Sequence, residues 1–127
     1  PGVNIGLFCS TPMVALSRNV SRKHAMEMLL TGELIGAIRA ETIGLVNRVV
    51  DEQVLDETVY RMARTIADKS GQALKVGKEA FYRQLELPLA DAYEFTSQVM
   101  AENMQASDAR EGICAFLEKR KAEWSND

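Results

Sequence analysis

Acid–base, nucleophilic and metal chemistry each need particular side chains at particular spacings, and this sequence offers few of them. Glu27, Glu33 and Glu41 are the carboxylates that could serve as acids, on short helices or loops. An unpaired glutamate on a helical surface is usually solvated, so spacing alone makes no acid–base pair of them. Ser10 and Ser17 have no histidine at hydrolase spacing, which leaves a serine nucleophile unsupported. The single His24 excludes a multi-histidine metal site, and Cys9 and Cys114 lie far apart without a CxxC partner. Both cysteines read as buried or free thiols rather than a disulfide. Gly44 and Gly71 stand outside the GxGxxG and GxxxxGKS/T patterns, so they punctuate helices and do not cradle phosphate. The one basic cluster is Lys119, Arg120 and Lys121, within "FLEKRKAEW". By itself it reads as a solvated surface run.

Whatever these residues do, a small scaffold must position them. The 127 residues fit one domain, large enough to bury a core without disulfides or metal. The net charge of −3 argues against nucleic acid as a partner, because phosphate binding wants a basic surface. No apolar run approaches the ~20 residues of a membrane span.

The pattern is mostly helical. Thr11 with Pro12 predicts an N-cap and first helical position, opening a helix to about Val20. Ser21 predicts the cap of a second helix whose Ala25, Met28 and Leu29 share a face, and Gly32 its stop. A short helical turn follows from Arg39 to Ile43. "LVNRVV", residues 45–50, is predicted as one short strand, and a lone strand must pair with something. Beyond Asp51, Leu55, Val59, Met62 and Ile66 form a stripe at intervals of four, three and four residues. Ala73, Val76, Gly77, Ala80 and Phe81 form the next stripe. Pro88 opens a longer helix with Leu89, Ala92, Tyr93, Thr96, Val99, Met100 and Met104 predicted inward. Met26, Met28, Met62, Met100 and Met104 all fall at core spacing. Asp108 with Glu111 predicts a capping box, ahead of inward-facing Ile113, Phe116 and Leu117.

The tail carries more than periodicity. Asp108, Glu111, Gly112, Ala115, Phe116, Glu118, Lys119, Arg120 and Trp124 read "DxxEGxxAFxEKRxxxW". This resembles the C-terminal end of the crotonase family, the enoyl-CoA hydratases and isomerases. "AMEMLLTGELIGA" and "IGLVNRVV" resemble two further family segments, and "PGVNIGLFCSTP" resembles the loop after the family's second half-sheet. "GLFCSTP" and "KEAFYRQL" are similar to the enoyl-CoA hydratase domain-containing subgroup. These segments span essentially the whole chain in family order.

The resemblance implies a mainly α fold, the helical C-terminal part of a ββα-spiral crotonase with one short strand near residues 45–50. It implies two parts: residues 1–50 as the tail end of the crotonase core, and residues 51–127 as a helical module that covers CoA and builds the oligomer. A full crotonase is about twice this length, still within the span of one domain. Both oxyanion-hole N–H donors and the first catalytic glutamate are then expected in a preceding half. The chain alone is expected to be inactive. The parent is expected to act on acyl-CoA thioesters, as hydratase or isomerase, by stabilising an enolate-like carbonyl, with no cofactor beyond the CoA substrate. The family's second glutamate follows a proline, and Gly2, after Pro1, stands in its place, so no catalytic residue carries over.

Lys119 matches the family lysine presented to the CoA phosphates, a task that suits a flexible point charge. Met100 stands where many members carry an aromatic near the adenine. Gly36 takes the place of a serine-like N-cap, and Ile38 that of a charged residue. The partners implied are acyl-CoA and copies of the chain, as homotrimer or hexamer, without nucleic acid or membrane. The compartment implied is cytoplasm in a bacterium, or the mitochondrial matrix in a eukaryote. The competing reading is a non-catalytic helical self-association module.

Overall fold

The computed structural model describes residues 2–125. Among the described residues seven α-helices and two 3-10 turns form, in two compact units, Pro1–Leu55 and Asp56–Asp127. The helical class expected of the chain is what the backbone adopts.

In the first unit a 3-10 turn, Gly2–Ile5, leads to α1 (Ser10–Asn19), α2 (Arg22–Thr31) and α3 (Ala37–Thr42). Both α1 and the 3-10 turn pack against α2. Ser21 caps α2 as predicted, its hydroxyl oxygen accepting from the His24 N–H at 3.5 Å. Gly32 ends α2 in the left-handed region, φ 62°. That position needs glycine twice over. A Cβ there would lie 2.5 Å from Asn4 Oδ1 and 2.7 Å from Val3 Cγ1, and Asn4 Nδ2 donates to the Gly32 carbonyl at 3.2 Å. Close approach of the 3-10 turn to the helix end therefore depends on a missing side chain. The start of α1 differs from expectation. Helix begins at Ser10, Cys9 flanks it without a side-chain cap, and Thr11 lies inside the first turn.

The strand predicted at residues 45–50 does not form. A strand exists only through its ladder, and no partner strand is present among the described residues. Three N–H groups of this segment bond locally instead. The N–H groups of Leu45 and Val46 both donate to the Ala40 carbonyl, and the Val49 N–H donates to Glu41 Oε1 at 3.1 Å.

The 3-10 turn Glu52–Val54 ends the first unit, and the second holds α4 (Leu55–Ala67) apart from its first residue, α5 (Gly71–Gln84), α6 (Leu89–Asn103) and α7 (Ser107–Glu118). Helix α5 packs against α6 and α7. Ser70 caps α5, accepting from the Ala73 N–H at 3.0 Å. The Arg83 guanidinium stands 4.3 Å from the centre of the Phe95 ring, joining α5 to α6.

The predicted helix stripes are present, but most of their large members are not buried. On α6 only Ala92 is buried, while Leu89, Tyr93, Met100 and Met104 are exposed. Ile113, Phe116 and Leu117 on α7, predicted inward, are exposed as well, Phe116 at 82%. So are Leu55, Val59, Met62 and Ile66 along α4, and Met26 on α2. The spacing is a guide to helix; it carries no information about what stands opposite a face, and on α7 the buried positions are Asp108 and Ala115 instead. The buried apolar residues are Val20, Ala25, Ala40, Ala92 and Ala115.

Because Gly32 combines a positive φ with a filled Cβ position, Gly32→Ala is expected to destabilise the first unit by more than about 1 kcal/mol. Urea unfolding followed by circular dichroism measures this; an unchanged midpoint would refute the double requirement.

Candidate functional site

Two places carry the residues singled out by chemistry, one in each unit. In the first, Gly2 opens the 3-10 turn, while Pro1 lies outside the described residues. The turn is held by the Leu7 N–H donating to the Gly2 carbonyl at 2.9 Å. The Gly2 N–H donates to Cys9 Sγ at 3.2 Å. A groove of about 360 Å³ runs past these two residues, walled by Pro12, Leu16, Met28 and Leu29, with Glu33 at its edge. Position 2 therefore presents a backbone and a neighbouring thiol to an apolar groove, and no proton-transfer group of its own.

The other predicted acids have structural partners or none of a catalytic kind. Glu27 lies 3.7 Å from His24 Nδ1 and 3.9 Å from Arg39, which itself approaches that same Nδ1 at 3.2 Å. Glu41 accepts the Val49 N–H. No group of three or more potential metal-ligating side chains occurs among the described residues.

In the second unit Lys119 occupies the C-cap of α7 with φ 55°, the one non-glycine residue at positive φ among the described residues. The cap closes in the Schellman manner. The Lys119 N–H donates to the Phe116 carbonyl at 3.3 Å and the Arg120 N–H to the Ala115 carbonyl at 3.0 Å. Left-handed backbone disfavours a Cβ, so the turn needs support from elsewhere. Arg120 supplies it. Its guanidinium donates to both oxygens of Glu111, at 2.5 and 2.9 Å, and to Glu118 Oε2 at 2.6 Å. Glu111 Oε1 also accepts the Glu123 N–H at 2.9 Å. Two carboxylates thus engage Arg120, and the exposed Lys119 beside it makes no ion pair among the described residues. A bidentate guanidinium–carboxylate pair fixes direction as well as distance.

Asp108 anchors the same tail from the other end of α7. It is buried, and Oδ1 accepts both the Ser125 N–H and the Ser125 hydroxyl at 2.9 Å. The Ser70 hydroxyl first, then the Ser125 N–H, hold its carboxyl below the usual range, although Oδ2 lacks an aligned hydrogen bond. Neither Asp108 nor Glu111 is an N-cap. Ala106 takes that position without a side-chain bond, and both carboxylates reach instead to the returning tail. Trp124 completes the return by donating from Nε1 to the Asp68 carbonyl at 2.8 Å, with its ring 3.4 Å from where a Cβ on Gly112 would stand. An apolar cavity of about 380 Å³ opens between Ala73, Gly112, Phe116 and Trp124. Neither Lys119 nor Met100 lines it. Met100 sits exposed on α6. Sequence reasoning missed Ser70 and Ser125, and it took Cys9 only as a thiol and Arg120 only as part of a basic run and a tail motif. Arg120 had a usable signal, since it follows "EK" nine residues after Glu111; the others act through the fold alone.

Comparison with known proteins places the whole chain. Residues 1–127 match the family described as enoyl-CoA hydratase/isomerase. Human enoyl-CoA hydratase domain-containing protein 3, mitochondrial, is 53% identical over 127 residues, covering 100% of this chain and 42% of the relative. A probable enoyl-CoA hydratase of Rhizobium meliloti is 40% identical over 111 residues, 87% of this chain and 43% of that protein. Among solved structures, an enoyl-CoA hydratase of Mycobacterium smegmatis superposes with TM-score 0.93 at 52% identity, covering 97% of this chain and 48% of that one. The structure of human enoyl-CoA hydratase domain-containing protein 3 superposes with TM-score 0.92 at 53% identity, over 98% and 49%. The chain thus spans a little under half the length of these relatives.

The Arg120 bonds, then the Glu123 N–H, pull the Glu111 carboxyl down to about 2 from an ordinary value of 4.5. A carboxyl depressed by folding stabilises the fold fully above its unfolded pKa, and that contribution is lost as pH falls. Stability to urea is therefore expected to fall between pH 4.5 and about 2, and Glu111→Gln to flatten part of that fall. Unfolding curves across this range, with wild type and variant falling in parallel, would show that the clamp contributes nothing.

Proposed function

This chain belongs to the enoyl-CoA hydratase/isomerase family, and from that premise we propose that it provides the CoA-facing tail of an acyl-CoA-processing protein. The parent reaction in this reading stabilises an enolate-like thioester by two aimed backbone N–H donors. In this reading those donors lie outside these residues, and the chain by itself is catalytically silent. Gly2, where hydratases carry a glutamate, removes one of the two carboxylates that handle water. The parent then favours isomerisation or another enolate reaction over two-carboxylate hydration.

The observation that supports the role most directly is at Lys119. Arg120 is engaged by Glu111 and Glu118, and the neighbouring ammonium projects from a turn held in the left-handed region. A flexible cation on a fixed base suits an anionic group such as a CoA phosphate. In this reading Met100 lies near the adenine. Met100 has no flat aromatic face to stack on the base, so it contributes apolar contact alone. The protein assembles as a homotrimer or dimer of trimers, and in a eukaryote resides in the mitochondrial matrix, the organelle named for its human and rat relatives.

The second reading is self-association without catalysis. Exposed Leu89, Tyr93, Phe116 and Leu117 favour it, since apolar surface of this kind marks interaction sites.

Lys119→Ala separates the two. In the protein that carries this chain, its loss is expected to weaken CoA binding about tenfold, the value of one charge-assisted hydrogen bond. Sedimentation should be unchanged. Altered assembly with unchanged CoA affinity would instead support self-association.

A further inference from the structure

Glycine at position 2 has a cause in the loop that follows it. Gly2 belongs to a 3-10 turn, a conformation that any residue adopts, so conformation does not demand glycine here. Space does. A Cβ on residue 2 would stand 2.7 Å from the Leu7 carbonyl oxygen and 2.8 Å from Cys9 Sγ, both closer than real Cβ contacts come. The Leu7 oxygen is backbone, in a turn fastened by the Leu7 N–H to the Gly2 carbonyl. The Cys9 sulfur is a side chain, but it also accepts the Gly2 N–H, so swinging it aside strips that donor of its partner.

We infer that the Cys9 thiol, beside the Leu7 carbonyl oxygen, fills the place of a side chain at position 2 and so denies this loop a carboxylate. Single replacement of Gly2 by glutamate then meets a sulfur and a carbonyl oxygen before its carboxyl is reached. The oxygen would also repel the incoming negative charge. This inference rests on the proposed acyl-CoA role for its significance. The packing it describes can be tested without any substrate, so either idea can fail alone.

The test is a double-mutant cycle in the full chain, read as thermal midpoints of wild type, Gly2→Ala, Cys9→Ala and the double variant. Gly2→Ala is expected to lower the midpoint by about 5 °C or more. In the Cys9→Ala background the same change should cost clearly less, with a remainder from the Leu7 oxygen. Unfolding of Gly2→Ala but not of the double variant is the same result in stronger form. Equal losses in both backgrounds, unfolding of both, or no loss in either would overturn the role of Cys9. Maleimide labelling in a Cys114→Ser background supplies a second readout. Cys9 should react faster once Gly2→Ala displaces it, and an unchanged rate would count against the inference.

Discussion

Apolar burial is scarce in this chain, and that scarcity sets what every other interaction must do. The buried apolar side chains are Val20 and four alanines, and among the described residues no large side chain is fully buried. Ordering a helix costs conformational entropy at every residue, and covered apolar area is the usual compensation. Here much of the apolar area on α4, α6 and α7 remains open to solvent. Among the described residues local order rests visibly on short-range devices: the Ser21 and Ser70 caps, the Gly32 and Lys119 terminators, and the carboxylates of α7.

Those carboxylates illustrate how polar groups take over a packing role. Asp108 and Glu111 are one helical turn apart, so they leave the same side of α7. One binds Ser125 and the other Arg120 and the Glu123 N–H, bringing the tail back along the helix it has just left. Trp124 then lies over Gly112, where the absence of a side chain lets the ring approach. The same fold-back flanks the turn at Lys119, so tail order and the proposed phosphate contact depend on one set of bonds.

Much of the local architecture could be read from the sequence. Ser21, Gly32 and Gly44 mark their boundaries by short-range backbone chemistry, and Pro88 stands immediately before α6 as its position implied. The whole-chain family resemblance rested on ordered motifs and is matched over residues 1–127. What failed needed knowledge of something distant. Residues 45–50 have strand composition, yet a strand is a property of two segments. The α6 stripe includes the buried Ala92, but on α7 the buried positions are Asp108 and Ala115 and not the predicted Ile113, Phe116 and Leu117, because spacing does not say what stands across from a face. Asp108 and Glu111 looked like a capping box because their spacing fits one, and their real partners arrive only when the tail returns. Cys9 was legible as a free thiol; its contact with Gly2 depends on a turn that residue types do not specify.

The end of α7 has a consequence for how such a sequence can change. A left-handed helix terminator is best served by glycine, and asparagine comes next. Lysine at that position holds a long cation on a backbone that would prefer no side chain at all. Replacement by glycine would relax the turn and erase the charge in the same step. Conformational preference and surface chemistry pull this one residue in opposite directions, so a lineage drifting toward a sturdier helix end would lose the ammonium first.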